Sequence, residues 1–287
     1  MSDDPFVAHR GLLFTVAYEM LGSAVDAEDV VQETWLRWAD ADRADVRDPR
    51  AYLVRIVTRQ ALNRLRTVSR RREDYVGEWL PEPLLTGPDM ADDAVLAENV
   101  SIALLTVLEA LGPVERAVFV LHEVFDTPYD EVAEVVGKTP AAVRQIAHRA
   151  REHVAARRPR MPVDQAQQEA TFERFMAAVT SGDLQGLVAV LAPEVVLIAD
   201  GGGLVRAARK PLIGAERVVA FLARVADLSG LVATTAQFNG MPGARFEVGG
   251  DVTAVSLVIE GGRITRIYAM RNPNKLGSLE KVAELRR

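Results

Sequence analysis

Residues 112–154 read GPVERAVFVLHEVFDTPYDEVAEVVGKTPAAVRQIAHRAREHV, and this stretch decides the fold of the chain's middle. After Gly112-Pro113, Val114–Phe125 reads as a helix, and Tyr129–Val136 as a short one that stops at Gly137. Thr139-Pro140 supplies an N-cap followed by proline at the first helical position, where its missing N–H costs nothing, and opens a helix to about Ala155. A short helix, a glycine-containing turn and a second capped helix make a helix-turn-helix. On the second helix Val143, Ile146, Ala147, Ala150 and Val154 share one face, while Arg144, Gln145, His148, Arg149 and Arg151 lie off it. Arg144, Gln145, His148 and Arg149 are therefore the candidates to meet base edges and phosphates, with Thr139 near the DNA backbone. A purely structural corner is the plain alternative. The basic run from Arg149 to Arg160 tips the reading toward DNA.

Upstream, residues 51–73 read AYLVRIVTRQALNRLRTVSRRRE, within a helix predicted over about Pro49–Ser69. Arg55, Arg59, Asn63, Arg66 and Arg70 are spaced by three or four, so they occupy one face; Leu53, Val57, Ala61 and Leu65 occupy another. Like charges at this spacing repel, so the stripe needs anions, and DNA phosphates are the obvious ones. A solvated face with cross-domain salt bridges is the competing account. Before it, Asp26 is read as the cap of a helix running to about Trp38, with Val30, Val31 and Trp35 as its apolar positions. Phe14, Ala17, Tyr18 and Leu21 mark an earlier helix that stops at Gly22.

Downstream of the arginines, residues 76–98 lose helical periodicity. Trp79-Leu80-Pro81-Glu82-Pro83 and Gly87-Pro88 cannot continue a helix, because each proline removes a donor and restricts its predecessor. This is a linker, and a tryptophan in a linker implies docking. The tail beyond Pro162 shows helices around Phe172–Val179 and Leu184–Leu191, a strand at Glu194–Ala199 and a helix at Ala215–Ala226. Two strands, Asp251–Ile259 and Arg263–Met270, flank the hairpin signal Glu260-Gly261-Gly262. Helices followed by an antiparallel run indicate an α+β domain.

With 287 residues, 49% of them hydrophobic and 26% charged, the chain has the composition of a globular protein of about two or three domains. It contains no cysteine, which excludes disulfides and cysteine-ligated zinc. No apolar run is long enough for a membrane span, and Ser2, Asp3 and Asp4 open the chain where a secretory signal would be basic; a cytoplasmic protein is expected. The net charge of −6 equals that of residues 76–98 alone, which hold six acids and no base. Elsewhere charge is segregated: Arg55–Arg72 has seven arginines and no acid, whereas Asp26–Asp48 has eight carboxylates and three arginines. Different surfaces thus suit different partners, phosphates for one and a basic protein for the other.

These motifs carry a family resemblance. DAEDVVQETWLRW (26–38) resembles the polymerase-gripping part of region two of the extracytoplasmic-function sigma factors, and residues 51–73 resemble their promoter-melting, minus-ten-reading helix. Residues 112–154 resemble region four, which reads the minus-thirty-five element. WLPEP (79–83), DGGG (200–203) and NPNKL (272–276) are similar to motifs of the subgroup with a SnoaL-like C-terminal domain. That subgroup usually has Lys after DGGG and Asp within the last motif; Leu204 and Asn274 stand there in this chain.

The resemblance implies a multidomain protein. Residues 1–75 would form an all-α region-two bundle, 76–98 an acidic linker, 99–155 region four, 156–166 a second linker and 167–287 an α+β cone of the SnoaL or NTF2-like kind. It implies an alternative sigma factor that takes core RNA polymerase to promoter DNA. Asp29, Gln32, Glu33 and Arg37 would contact the core, whose beta-prime clamp and beta flap are the expected partners. The loop Asp40–Asp48 would capture a flipped base. Arg55, Arg59, Asn63, Arg64, Arg66 and Arg70 would contact DNA together with the recognition-helix residues above.

No cofactor and no metal site is expected. The tail has no histidine, since His9, His122, His148 and His153 all precede it; Asp200 reads equally as a pocket carboxylate and as a turn residue beside three glycines, and Glu247 and Asp251 read first as loop acids. An enzyme is therefore not expected, and a small ligand in the tail is left open. The tail is expected to regulate in cis, with Asp200, Gly201, Gly202, Gly203, Asn272, Pro273, Lys275 and Leu276 approaching Trp79, Leu80, Pro81, Glu82 and Pro83. The basic partners foreseen for the acidic linker are Arg206, Arg209 and Lys210 after the glycine turn, with Arg271 and Lys275 at the second motif. A ligand-sensing helix-turn-helix regulator is the alternative.

Overall fold

The computed structural model describes residues 4–42, 46–72, 74–87, 94–157, 165–226 and 230–286. They form two compact units, one helical (1–74, 104–158 and 284–287) and one built on a sheet (75–103 and 159–283).

In the helical unit, α1 (Pro5–Leu21), α2 (Ala24–Ala39) and α3 (Pro49–Arg72) form the first bundle. Asp4 caps α1 and also accepts a hydrogen bond from the Trp38 indole at 2.9 Å. Gly22 ends α1 at φ 64°, a conformation glycine adopts without penalty. The cap of α2 is Ser23 rather than Asp26: its hydroxyl accepts from the Asp26 N–H at 3.2 Å. Val30 and Val31 are buried as expected, but Trp35 is 39% exposed and leans on Phe6, so the apolar stripe of α2 is narrower than its sequence suggests. The apolar face of α3 (Leu53, Val57, Ala61 and Leu65) is buried.

The second part of this unit contains α6 (Pro113–Phe119), a π-helical turn at Val120–Val124, α7 (Tyr129–Val136) and α8 (Pro140–Ala155). The residues buried on α8 are Val143, Ile146, Ala147, Ala150 and Val154, the predicted face. Gly137 ends α7 at φ 68°, and the Thr139 hydroxyl caps α8 through the Ala142 N–H.

In the sheet unit, α4 (Ala94–Val100) and the start of α5 (Ile102–Leu108) precede α9 (Gln165–Ser181), α10 (Leu184–Val190) and α11 (Ala215–Ala226). Six strands follow the order β2-β1-β6-β5-β4-β3, with β1 (Leu191–Asp200), β2 (Leu212–Ile213), β3 (Val232–Phe238), β4 (Met241–Val248), β5 (Asp251–Glu260) and β6 (Arg263–Met270). All neighbours are antiparallel except β1 and β6, so the sheet is mixed where an antiparallel run was expected. Two-residue hairpin turns at Asn239-Gly240, Gly249-Gly250 and Gly261-Gly262 all have positive φ, as the right-handed twist of the flanking strands requires.

Both faces of the sheet are covered, following the two-residue period of strands. Leu197, Ala199, Val255, Leu257, Ile267 and Ala269 pack with α9–α11. Ala254, Val258, Tyr268 and Met270 point the other way and pack with Leu80, Ile102 and Leu279. Leu80, Leu85, Ile102 and Ala103, which precede the tail, therefore belong to the sheet's own core.

Candidate nucleic-acid interface and linker clasp

The helical unit presents two arginine-bearing faces. On α8, Arg144, Gln145, His148 and Arg149 are all exposed, as is the cap Thr139. His148 lies 3.6 Å from Glu152, and Arg144 sits 5.9 Å from the centre of the Tyr129 ring. The burial of the opposite face fixes the rotation of the helix, so these side chains point to solvent together.

The stripe on α3 divides. Asn63 and Arg66 are exposed. Arg59 donates to the Glu134 carbonyl at 2.9 Å, and Arg55 lies 3.7 Å from the Glu134 carboxylate. One ion pair and one hydrogen bond to a backbone carbonyl thus cross the two parts of the helical unit, close to the competing account of the stripe, and they involve its first two arginines. Arg64 turns away to Asp26 and Asp29, each at 2.7 Å. The Arg70 side chain lies outside the described residues, as do residues 43–45 of the loop Asp40–Asp48. What is described of that loop lines a recess of about 680 Å3 with Arg50, Arg55, Pro128 and Glu131.

Two other features of this unit were not foreseen. Arg116, 1% exposed, donates through Nε to the Glu19 carbonyl at 3.0 Å and pairs with Glu109, tying α6 to α1. On α2, Val25, Trp35 and Leu36 are exposed near Gln32, Glu33 and Arg37, which are exposed too. Asp29 is half-buried and engaged with Arg64.

In the sheet unit the three linker and tail motifs converge on Asp200, which is wholly buried at the end of β1. Its carboxylate accepts from the Tyr75 hydroxyl at 2.6 Å, the Leu80 N–H at 2.9 Å, the Gly202 N–H at 3.0 Å and Lys275 Nζ at 2.7 Å. Lys275 also donates to the Leu80 carbonyl at 2.6 Å and lies 3.9 Å from the centre of the Trp79 ring. Asn272 donates to the Tyr75 hydroxyl at 2.7 Å, and Ser278 to the Pro83 carbonyl at 2.8 Å. Burial first, then the hydrogen bond to Asp200, pushes the Tyr75 phenol well above its ordinary pKa.

Glycine is needed at Gly202, where φ is 61° and a Cβ would stand 2.3 Å from the Asn272 amide. Leu204 and Asn274, which replace the subgroup's charges, are exposed; Asn274 touches the network through its backbone N–H, which donates to Asn272 Oδ1 at 3.0 Å. Of the basic residues foreseen for the linker, Lys275 meets it; Arg271 instead donates to the Arg206 carbonyl.

Further along, Leu85 pairs with Phe238, and the Asn239 amide bridges the linker: Oδ1 accepts from the Leu84 N–H at 2.9 Å and Nδ2 donates to the Val100 carbonyl at 2.8 Å. Asn239 and Tyr75 were missed. The Asn-Gly pair was a legible hairpin signal; nothing local marks Tyr75.

Comparison with known proteins adds the family. The family model of sigma-70 region 2 matches residues 6–71, and that of sigma-70 region 4 matches residues 101–154. The ECF RNA polymerase sigma factor SigJ of Mycobacterium tuberculosis is 38% identical over 96% of this chain and 93% of its own. The probable ECF sigma factor SigI of the same species is 35% identical over 95% of this chain and 93% of its own. The crystal structure of M. tuberculosis SigJ superposes with a TM-score of 0.78 at 36% identity, covering 94% of this chain and 96% of that one. With regions two and four in order and the likeness running through the tail, the chain belongs to the extracytoplasmic-function sigma factors, which direct RNA polymerase to promoters.

Proposed function

We propose that this sigma factor exists in a packed, restrained form and that its tail regulates it through the linker. The carrying observation is that Arg55 and Arg59, on the promoter-facing stripe of region two, are engaged by Glu134 of region four. With its carboxylate at Arg55 and its carbonyl at Arg59, Glu134 would compete with DNA phosphates for both arginines. Elements named for positions ten and thirty-five lie about 25 base pairs apart, or about 85 Å at 3.4 Å per pair. A compact unit of about 130 residues has a radius of gyration of about 14 Å. Regions two and four must therefore separate to read both elements at once.

The clasp bears on this separation. About 30 residues join α3 to the first residues of region four, and a free segment of that length reaches about 100 Å. With residues 75–86 held on the sheet, much of that reach is lost. Release of the clasp restores it. The tail works here by holding backbone rather than by chemistry: the wholly buried carboxylate of Asp200 is saturated by four donors.

In the open form Gln32, Glu33 and Arg37, beside exposed Trp35 and Leu36, would dock on the clamp of the core enzyme, with Asp29 at the edge. Region four would face the flap. Arg55, Arg59, Asn63, Arg66 and Arg70 would hold promoter DNA near the minus-ten element, with Arg64 acting indirectly by bracing α2. Thr139, Arg144, Gln145, His148 and Arg149 would read the upstream element.

Promoter-specific transcription with purified core polymerase, on templates selected from genomic DNA, tests the regulation. The full chain is compared with Lys275→Met, which loosens the clasp and leaves every DNA-facing residue in place. Activity should rise several-fold. Unchanged or reduced activity in a folded variant would overturn the restraining role.

A further inference from the structure

Within the sheet unit, a cavity of about 130 Å3 lies between the sheet and the helices α9 and α11. Its walls are apolar, with Phe175, Val179, Leu197, Phe246, Val255 and Ile267 among them, and its polar members are Asp251, Thr253 and Arg271. Asp251 and Arg271 also line an outer recess of about 340 Å3 beside Pro273 and Leu276. The two charged residues thus stand where the cavity meets the recess.

Their electrostatics are unbalanced. Arg271 is 24% exposed and Asp251 62%, and the two lie 3.6 Å apart, too far for a hydrogen bond. One Nη of Arg271 donates to the Arg206 carbonyl. The Nε–H is buried and has no acceptor among the described residues. A guanidinium keeps its charge, and a buried donor without a partner costs free energy that an acceptor would recover. Asp251 sits mostly in water, so an incoming anion displaces a weak surface interaction.

We propose that this cavity binds a small carboxylic acid with an apolar or aromatic body, the body filling the cavity and the carboxylate taking the Arg271 guanidinium. Size sets the class: a dry cavity of about 150 Å3 holds one benzene ring, so a benzoate-sized acid fits and a long acyl chain does not. The site lies next to the clasp, because the Arg271 N–H itself donates to the Asp200 carbonyl at 2.7 Å. Binding is independent of the sigma mechanism and is measured without polymerase.

Isothermal titration of the full chain with benzoate, and with toluene as the ring alone, tests the proposal. Benzoate should saturate one site, with toluene at least about tenfold weaker. Arg271→Gln should weaken benzoate by about tenfold or more, and Ala269→Leu, which fills the cavity wall, should abolish binding. No saturable binding up to about 10 mM, equal binding of toluene and benzoate, or binding untouched by both substitutions would overturn it. If Ala269→Leu does not fold, nuclear Overhauser contacts from the benzoate ring to the methyls of Val255 and Ile267 replace it, and their absence counts against the site.

Discussion

Asp200 shows how a residue's meaning depends on partners the local sequence does not display. Beside three glycines it reads equally as a turn acid and as a pocket carboxylate. Its two side-chain partners outside the turn are Tyr75, 125 residues earlier, and Lys275, 75 residues later. The family motifs and the acidic linker's need for a basic partner pointed to Lys275, whereas Tyr75 lies outside those motifs. The pair Asp200–Lys275 is buried, so removing one charge leaves the other stranded, at a cost of about 3–5 kcal/mol. Asp200→Ala should destabilise the sheet unit by that order in a denaturant titration while the far-ultraviolet signal of the folded state is kept. Tyr75 adds a pH dependence of definite sign. Its raised pKa means the folded state favours the neutral phenol, so its contribution is present below about pH 10 and is lost as pH rises toward the folded value. Tyr75→Phe should flatten the fall in stability above about pH 10; an unchanged alkaline limb would show that the phenol is not the group responsible.

At the scale of elements, punctuation was legible and docking was not. α7, α8 and α11 begin and end as the sequence predicts, because Gly137 and Thr139-Pro140 act within a turn of the residues they delimit. The cap of α2 was misplaced by three residues, since several capping residue types precede that helix and only geometry selects Ser23. Periodicity assigns Trp35 to the core although it is 39% exposed, because spacing does not report the width of the buried stripe. The parallel pairing of β1 with β6 was not readable either, since no local turn joins them. The recognition helix allows fold and function to be separated. Thr139→Ala removes the cap and should lower stability by about 1 kcal/mol. Arg144→Ala, on the exposed face, should leave the melting temperature unchanged and weaken region-four binding to promoter DNA by about tenfold, a loss of 1–3 kcal/mol being usual for a base-reading arginine. A lowered melting temperature with unchanged DNA affinity would assign Arg144 to packing on Tyr129 instead.

For the molecule as a whole, the proposed restraint predicts that the packed helical unit opens when both promoter elements are engaged. The unit joins α1 to α6 through buried Arg116 and α3 to α7 through Glu134. The first is a buried contact and the second a pair of partly exposed ones, so the second is the weaker hold. Charge reversal at Glu134 turns the Arg55 contact into a repulsion, keeps the backbone carbonyl that Arg59 uses, and should loosen the packing without touching either arginine. Because the chain has no cysteine, Thr67→Cys and Ala155→Cys, both at exposed positions of the helical unit, can carry a donor and an acceptor dye cleanly. Transfer should be high in the free chain and fall when core polymerase and promoter DNA are added, as the separation grows from about 40 Å or less toward about 85 Å. Glu134→Lys should lower transfer in the free chain and raise transcription at limiting sigma factor. High transfer persisting in an active promoter complex would mean that regions two and four reach their elements without parting, and would remove the packed form as the restrained one.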